Sequence, residues 1–278
     1  MTWPGKVSFV RVEHHMSTAV TLAGCDIDEE LADQFFDRIR QLEDLLSRFR
    51  PHSEICRFER GEVDIDNVDP VVRGVLIRCA TLRSVSSGDF EYEPRRRTGD
   101  PRDPVLDVNA VAKGWIIEEA AIVLRMGGAE FTVNAGGDVA TSLRRDGSRW
   151  RVGVQHPSDR TALLGVFDVR CGAVATSGAY ERGHHIRGSA APAFLSVTVV
   201  GPDLGEADGL STAVYAAGQS PPPWWGEVEP DYGLLTMSSD NRLRWVPPTS
   251  GDDFVWEFPS DSGIHPTVVT PNNGGHPA

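Results

Sequence analysis

Asp208 and Thr212 stand four residues apart in the segment EADGLSTAVYAAG. On a helix that spacing puts a carboxylate and a hydroxyl on one face. The two make a sparse set of hard oxygen ligands, which is how Mg2+ is held when substrate phosphates complete its octahedron. The bland alternative is that Asp208 caps the helix and Thr212 packs. A second segment, LDVNAVAKGW, sets Asp107 and Lys113 around small residues at a helix start. Free backbone N–H groups and an ammonium there suit a phosphate. A capping Asp and a solvated Lys would read the same way. In the third, NAGGD, Gly136 and Gly137 stand directly before Asp138. Adjacent glycines mark either a tight turn or a place where a ligand comes too close for a Cβ. The fourth, VATSGAYERGHHI, offers hydroxyls at Thr176 and Ser177, then Arg182 and the pair His184–His185. An adjacent His pair in a polar loop is commonly just exposed. An imidazole beside Arg and Ser is also what general acid–base work uses.

Apolar periodicity outlines the elements that would position these groups. Strands are expected over 6–12 and 18–23, flanking EHHMST. Leu31, Phe35, Ile39, Leu42, Leu46 and Phe49 recur every three or four residues. That spacing predicts an amphipathic helix over 28–49, capped by Asp26 or Asp28. Val72, Leu76, Cys79 and Leu82 repeat the pattern over 71–85. SSGDFEYEPRRRTGDPRDP breaks it with Gly, Pro and charge, as a loop does. A third helix over 110–126 is closed by Gly127-Gly128. Strands follow at 130–134, 150–155, 163–169 and 195–200, with a short helix at 207–217. The runs 232–237 and 243–246 flank SSDN as a hairpin. Helices come early and strands late, so the expected class is α+β. Residues 1–258 read as one domain. Residues 259–278, rich in Pro, Gly, Ser and Asn, read as a disordered tail.

The 278 residues carry a formal net charge of −13. That balance argues against a nucleic-acid partner, which needs clustered Lys and Arg. An anionic ligand would need local help from a metal, a Lys or a helix N-terminus. Cys25, Cys56, Cys79 and Cys171 lie far apart with no C-x-x-C pair. They read as free thiols, mostly packing residues. The opening MTWPGKVSFVRVEHH lacks the roughly 7–15-residue apolar run of a secretory signal. No run approaches the ~18 apolar residues of a membrane span. The expectation is a cytoplasmic protein with no membrane contact.

Together the four segments resemble the FAD:protein FMN transferase family, also called the ApbE family. That family shows D-x-x-x-x-A-K-G, N-x-G-G-D, A-T-S-G-x-Y-x-R followed by H-I, and A-D-A-x-x-T. Here DVNAVAKG, NAGGD, ATSGAYER with HI, and ADGLST stand in the same order. HHMSTAV and LSRFRPHSEICRF resemble two earlier family segments, so the likeness runs over roughly residues 16–217.

The resemblance implies mixed antiparallel sheets packed with several helices, and a flavin-nucleotide cleft between two intertwined subdomains. It implies transfer of FMN from FAD, as substrate, to a Thr or Ser hydroxyl of an acceptor protein, with Mg2+ as cofactor and AMP released. By position it assigns Met16, Asp107, Lys113, Gly136, Gly137, Thr176 and Ser177 to the flavin nucleotide. It assigns the Ala110 carbonyl, Asp208 and Thr212 to the metal, and His185, with Asp208, to catalysis. Asp138 would orient the turn or its neighbours.

The chain departs from the family at three places. Glu91 stands where an Asp is usual and the stretch after it is short. The Asp-Pro after the histidine is missing. Gly209, not Ala, follows Asp208. These departures keep two other readings open: an FAD-binding protein that no longer transfers, and a metal-dependent FAD pyrophosphatase.

Overall fold

The computed structural model describes residues 7–93, 99–100, 105–178, 193–228, 230–257 and 267–268. Strands β1 (Phe9–His15) and β2 (Thr18–Cys25) pair antiparallel up to His15 opposite Thr18. Only Met16 and Ser17 remain to turn the chain. Their φ angles of 50° and 61° give the type I′ turn whose twist matches a hairpin. The first strand therefore ends later than the expected 6–12.

Helix α1 (Glu29–Leu46) is capped by Asp28, whose carboxylate accepts the Leu31 N–H at 2.8 Å. Phe35, Phe36, Ile39 and Leu42 are fully buried. Phe49 corrects the expected stripe: the helix stops at Leu46, and Phe49 is 85% exposed. Ser47 is already extended and its carbonyl accepts the Ser53 hydroxyl at 2.7 Å, which leads the chain into α2 (Glu54–Glu59). A helix of one and a half turns carries too little periodicity to be seen in the sequence. Helix α3 (Pro70–Val85) begins with Asp69 as cap and proline in its first turn, a favoured start. Helix α4 (Asn109–Met126) buries residues around most of its circumference, as a central helix does.

The strands continue as β3 (Glu130–Ala135), β4 (Asp138–Thr141), β5 (Trp150–His156), β6 (Asp159–Val169), β7 (Gly172–Gly178) and β8 (Phe194–Gly201). Helix α5 (Leu204–Ala217) and a 3-10 turn, Pro223–Glu227, lead to β9 (Gly233–Ser238), β10 (Leu243–Val246), β11 (Phe254–Glu257) and β12 (Thr267–Val268). One sheet has nine strands in the order β1-β2-β3-β4-β7-β8-β9-β10-β12; the other has three, β11-β6-β5. All pairings are antiparallel except β10 with β12. The α+β class with antiparallel sheets is thus the observed one. Thr267–Val268, within the segment expected as a tail, forms β12. Among the described residues no helix is long and apolar enough to cross a membrane.

Two cores flank the large sheet. The helices cover one face through Phe36, Ile39, Ile117, Phe131 and Val197. The small sheet covers part of the other through Val139, Val152, Phe167, Val174 and Trp245. Cys56 and Cys79 are buried, and burial pushes the Cys79 thiol up to about 12.

Candidate active site

β3 and β4 pair from Ala135 opposite Asp138, so Gly136 and Gly137 alone make the turn. Their φ angles are +66° and +104°, again a type I′ geometry, which favours glycine. A Cβ on Gly136 would also come within 2.6 Å of Thr18 Oγ1, whereas one on Gly137 would meet nothing within 4 Å. The Gly137 N–H donates to Asn134 Oδ1 at 2.9 Å. The turn accounts for both glycines whatever lies beside it. A cleft of about 300 Å³ does lie beside it, lined also by Asn134, Gln155, His156, Thr176, Gly178 and Ser196. The Met16–Ser17 turn lies next to the glycine turn, since Thr18 directly after it would meet a Cβ on Gly136, but Met16 packs with the helix-side core and does not line the cleft. The Met16 N–H is held by Glu43 Oε1 at 3.1 Å.

Asp138 follows the turn and is buried. Its Oδ1 accepts the Thr176 N–H at 2.9 Å, and its Oδ2 contacts Lys113 Nζ. The same ammonium lies 3.4 Å from Asp208 Oδ2. Lys113 is therefore not a merely solvated lysine. Asp208 does not cap α5: that is Asp203, whose carboxylate accepts the Glu206 N–H at 2.8 Å. Asp208 sits one turn further in, buried, with Thr212 one turn beyond it and also buried. Ser177 Oγ lies 2.8 Å from Ser211 Oγ and 3.3 Å from Thr212 Oγ1. Ser211 in turn donates to the Asp208 carbonyl at 2.9 Å.

Close backbone approach makes this meeting possible. A Cβ on Gly114 of α4 would come within 2.6 Å of the Leu204 carbonyl oxygen, and one on Gly205 of α5 within 3.0 Å of the Trp115 nitrogen. The two helices thus cross at glycine contacts that bring Lys113 beside Asp208. At Gly209 the neighbour is a side chain and not backbone: a Cβ there would lie 2.4 Å from Leu82 Cδ1.

Asp107 stands just before α4. It accepts the Asn109 N–H only at 3.4 Å and pairs with Arg48 at 3.3 Å, so its main partner is the segment after α1. Ala110 is half-buried in the first turn of α4. Glu91 pairs with Arg83 at 3.8 Å, and Asp89 accepts the Trp224 indole N–H at 2.7 Å. Arg182, His184 and His185 lie outside the described residues. Sequence reasoning left Ser211 out of the site, although a serine directly before Thr212 was a visible signal. It left the Lys113 contacts of Asp138 and Asp208 unseen, because no local pattern joins the three.

A model described as the ApbE family matches residues 92–231. A FAD:protein FMN transferase of Klebsiella pneumoniae is 32% identical over 302 aligned positions, covering 85% of this chain and 93% of its own length. Another FAD:protein FMN transferase of that organism is 27% identical, covering 54% of this chain and 47% of its own length; the chain spans about half the length of this relative. Among solved structures, the ApbE protein of Thermotoga maritima superposes with a TM-score of 0.72 at 19% identity, covering 86% of this chain and 96% of that one. At that identity the likeness shows the fold.

Proposed function

Because this chain belongs to the ApbE family, we propose that it is a FAD:protein FMN transferase. In this reading a Thr or Ser hydroxyl of an acceptor protein attacks the FMN-side phosphorus of FAD. A new P–O bond forms, the P–O bond to AMP breaks, and AMP leaves. The observation that carries the reading is Lys113, placed between the buried carboxylates of Asp138 and Asp208, with Thr212 one turn beyond Asp208 on α5. Phosphoryl transfer is mostly positioning and charge neutralisation. A chain of net charge −13 needs a local cation before a pyrophosphate can approach.

The donor set fits a hard divalent cation. The Asp208 carboxylate, the Thr212 hydroxyl and the Ala110 carbonyl are all oxygen ligands. Among the described residues no group of three or more His, Cys, Asp or Glu could hold a metal. Bound to that donor set, Mg2+ would neutralise charge on the pyrophosphate oxygens. The chain's own residues would do the rest. Asp138 secures the end of β7 through the Thr176 N–H. Ser177 and Ser211 orient Thr212. Gly136, Gly137 and Thr176 line a cleft against which the flavin nucleotide would lie, and the resemblance adds Met16 and, just before α4, Asp107. His185 accepts the proton of the attacking hydroxyl.

The test is AMP release from FAD with Mg2+, with and without an acceptor peptide carrying Thr or Ser, and in-gel fluorescence of the acceptor. Acceptor-dependent AMP with covalent flavin is expected. AMP without labelled acceptor would mark a pyrophosphatase. Tight FAD binding with neither product would mark a binder.

A further inference from the structure

The chain has 27 lysines and arginines, and just two of them, Lys6 and Lys113, are lysines. Arginine serves everywhere else, yet the position between Asp138 and Asp208 holds an ammonium. The side chains there are unequal in access: Asp138 is 2% exposed and Asp208 7%, but Lys113 is 25% exposed. The two carboxylates are enclosed, while the lysine has a way out. Asp138 is further fixed by the Thr176 N–H. An ammonium is a compact point charge on a flexible stem, whereas a guanidinium fork grips a carboxylate through two bonds. A lysine can leave such a carboxylate where an arginine would stay.

A divalent cation on Asp208 and the ammonium now 3.4 Å from it would be like charges at close quarters, strongly repulsive where water is scarce. We propose that Lys113 is the exchangeable counter-cation of Asp208, and that Asp138 is the positioning residue that keeps the lysine when Asp208 turns to metal. The proposal rests on the reading of Asp208 as a metal ligand. Without metal, Lys113 neutralises both carboxylates and ties α4 to β4 and α5. With metal, it retains Asp138 alone, and its released N–H donors become available to a phosphate. Metal and pyrophosphate binding are coupled through one side chain.

The test uses metal alone, with no FAD. Mn2+ binding is measured by electron paramagnetic resonance on the wild type, Lys113→Met, Lys113→Arg and Asp138→Asn. If the ammonium occupies Asp208 nine-tenths of the time, its removal tightens the apparent affinity about tenfold. Lys113→Met should therefore bind more tightly by about that factor. Asp138→Asn should bind more weakly, because the lysine is left with Asp208 alone. Lys113→Arg should also bind more weakly; a purely long-range effect of charge would leave it at the wild-type value. Isotope-labelled lysine gives one NMR side-chain signal for each of the two lysines. The Lys113 signal should move along the Mg2+ isotherm while that of Lys6 stays. Should Lys113→Met not fold, Asp138→Asn and the NMR titration decide. Wild-type metal affinity in the Asp138 and both Lys113 variants, with an unmoved Lys113 signal, overturns the exchange and leaves the metal site standing. Equal Mn2+ affinity in the wild type and Asp208→Ala removes the metal site and the exchange together.

Discussion

On one face of the nine-stranded sheet β7 turns Ser177 toward α5, where it meets Ser211 and Thr212. On the other face, one residue earlier, it turns Thr176 toward Thr198 at 2.9 Å. The helix face concentrates buried charge, hydroxyls and glycine contacts around Lys113, Asp138 and Asp208. The core under the small sheet is apolar, with Phe167 packed 5.2 Å from Trp245 and 4.3 Å from Trp256 between ring centroids. The difference separates two tasks. Aromatic burial stabilises directly. A buried ion cluster contributes little net stability, because desolvation offsets its attraction, and its value lies in what it can bind.

The largest effect expected is on the apolar face. Phe167→Ala should cost about 3–5 kcal/mol of stability, measured by urea denaturation, while the protein that remains folded keeps its Mg2+ dependence. A loss of metal response in folded Phe167→Ala would break the separation. On the helix face, Asp208→Ala should lower Mg2+-dependent AMP release ~10²–10³-fold, the scale on which one charge-stabilising group acts, with little change in urea midpoint. Thr212→Ala should lose less, since a neutral hydroxyl contributes less to a hard cation. Wild-type rates in both would leave that face with a structural role only.

At the rim the two kinds of cost can be told apart. Gly136→Ala should destabilise by about 1–2 kcal/mol for its left-handed backbone, with an added cost from Thr18. A double-mutant cycle with Thr18→Ala should recover that added part and show no coupling to Gly137→Ala. The smallest contrast is Ser177→Ala against Thr198→Val. Each removes hydrogen bonding worth about 1 kcal/mol in urea titrations, but only Ser177→Ala should raise the Mg2+ concentration needed for half-maximal rate. Equal shifts from both would erase the distinction between the faces.

Sequence periodicity located α1 and α3 to within a few residues of their ends, because each buries a stripe that local spacing records, whereas α4, buried on most sides, was bounded by its Gly127-Gly128 stop. It failed where burial is two-sided or the element is short. β7 is absent from the expected strands, since Gly172, Ala173, Ala175, Thr176 and Ser177 show no apolar–polar alternation; in the fold Ala173 and Ala175 are fully buried on the α5 side while Val174 packs on the other. Phe49 keeps helical spacing yet lies beyond the end of α1, because Ser47 and Ser53 redirect the chain first.

What the sequence by itself determined is local and combinatorial. The glycines of NAGGD announce a turn. Asp208 and Thr212 fall on one face of a helix. The four segments in one order carry the family. What only the tertiary structure decided is which charges meet. Lys113, Asp138 and Asp208 belong to α4, β4 and α5, and no period links them. They converge because Gly114 and Gly205 let two helices cross backbone to backbone, and because β4 is held between β3 and β7. Side-chain spacing is set within an element, whereas the distance between carboxylate and ammonium is set by how elements pack.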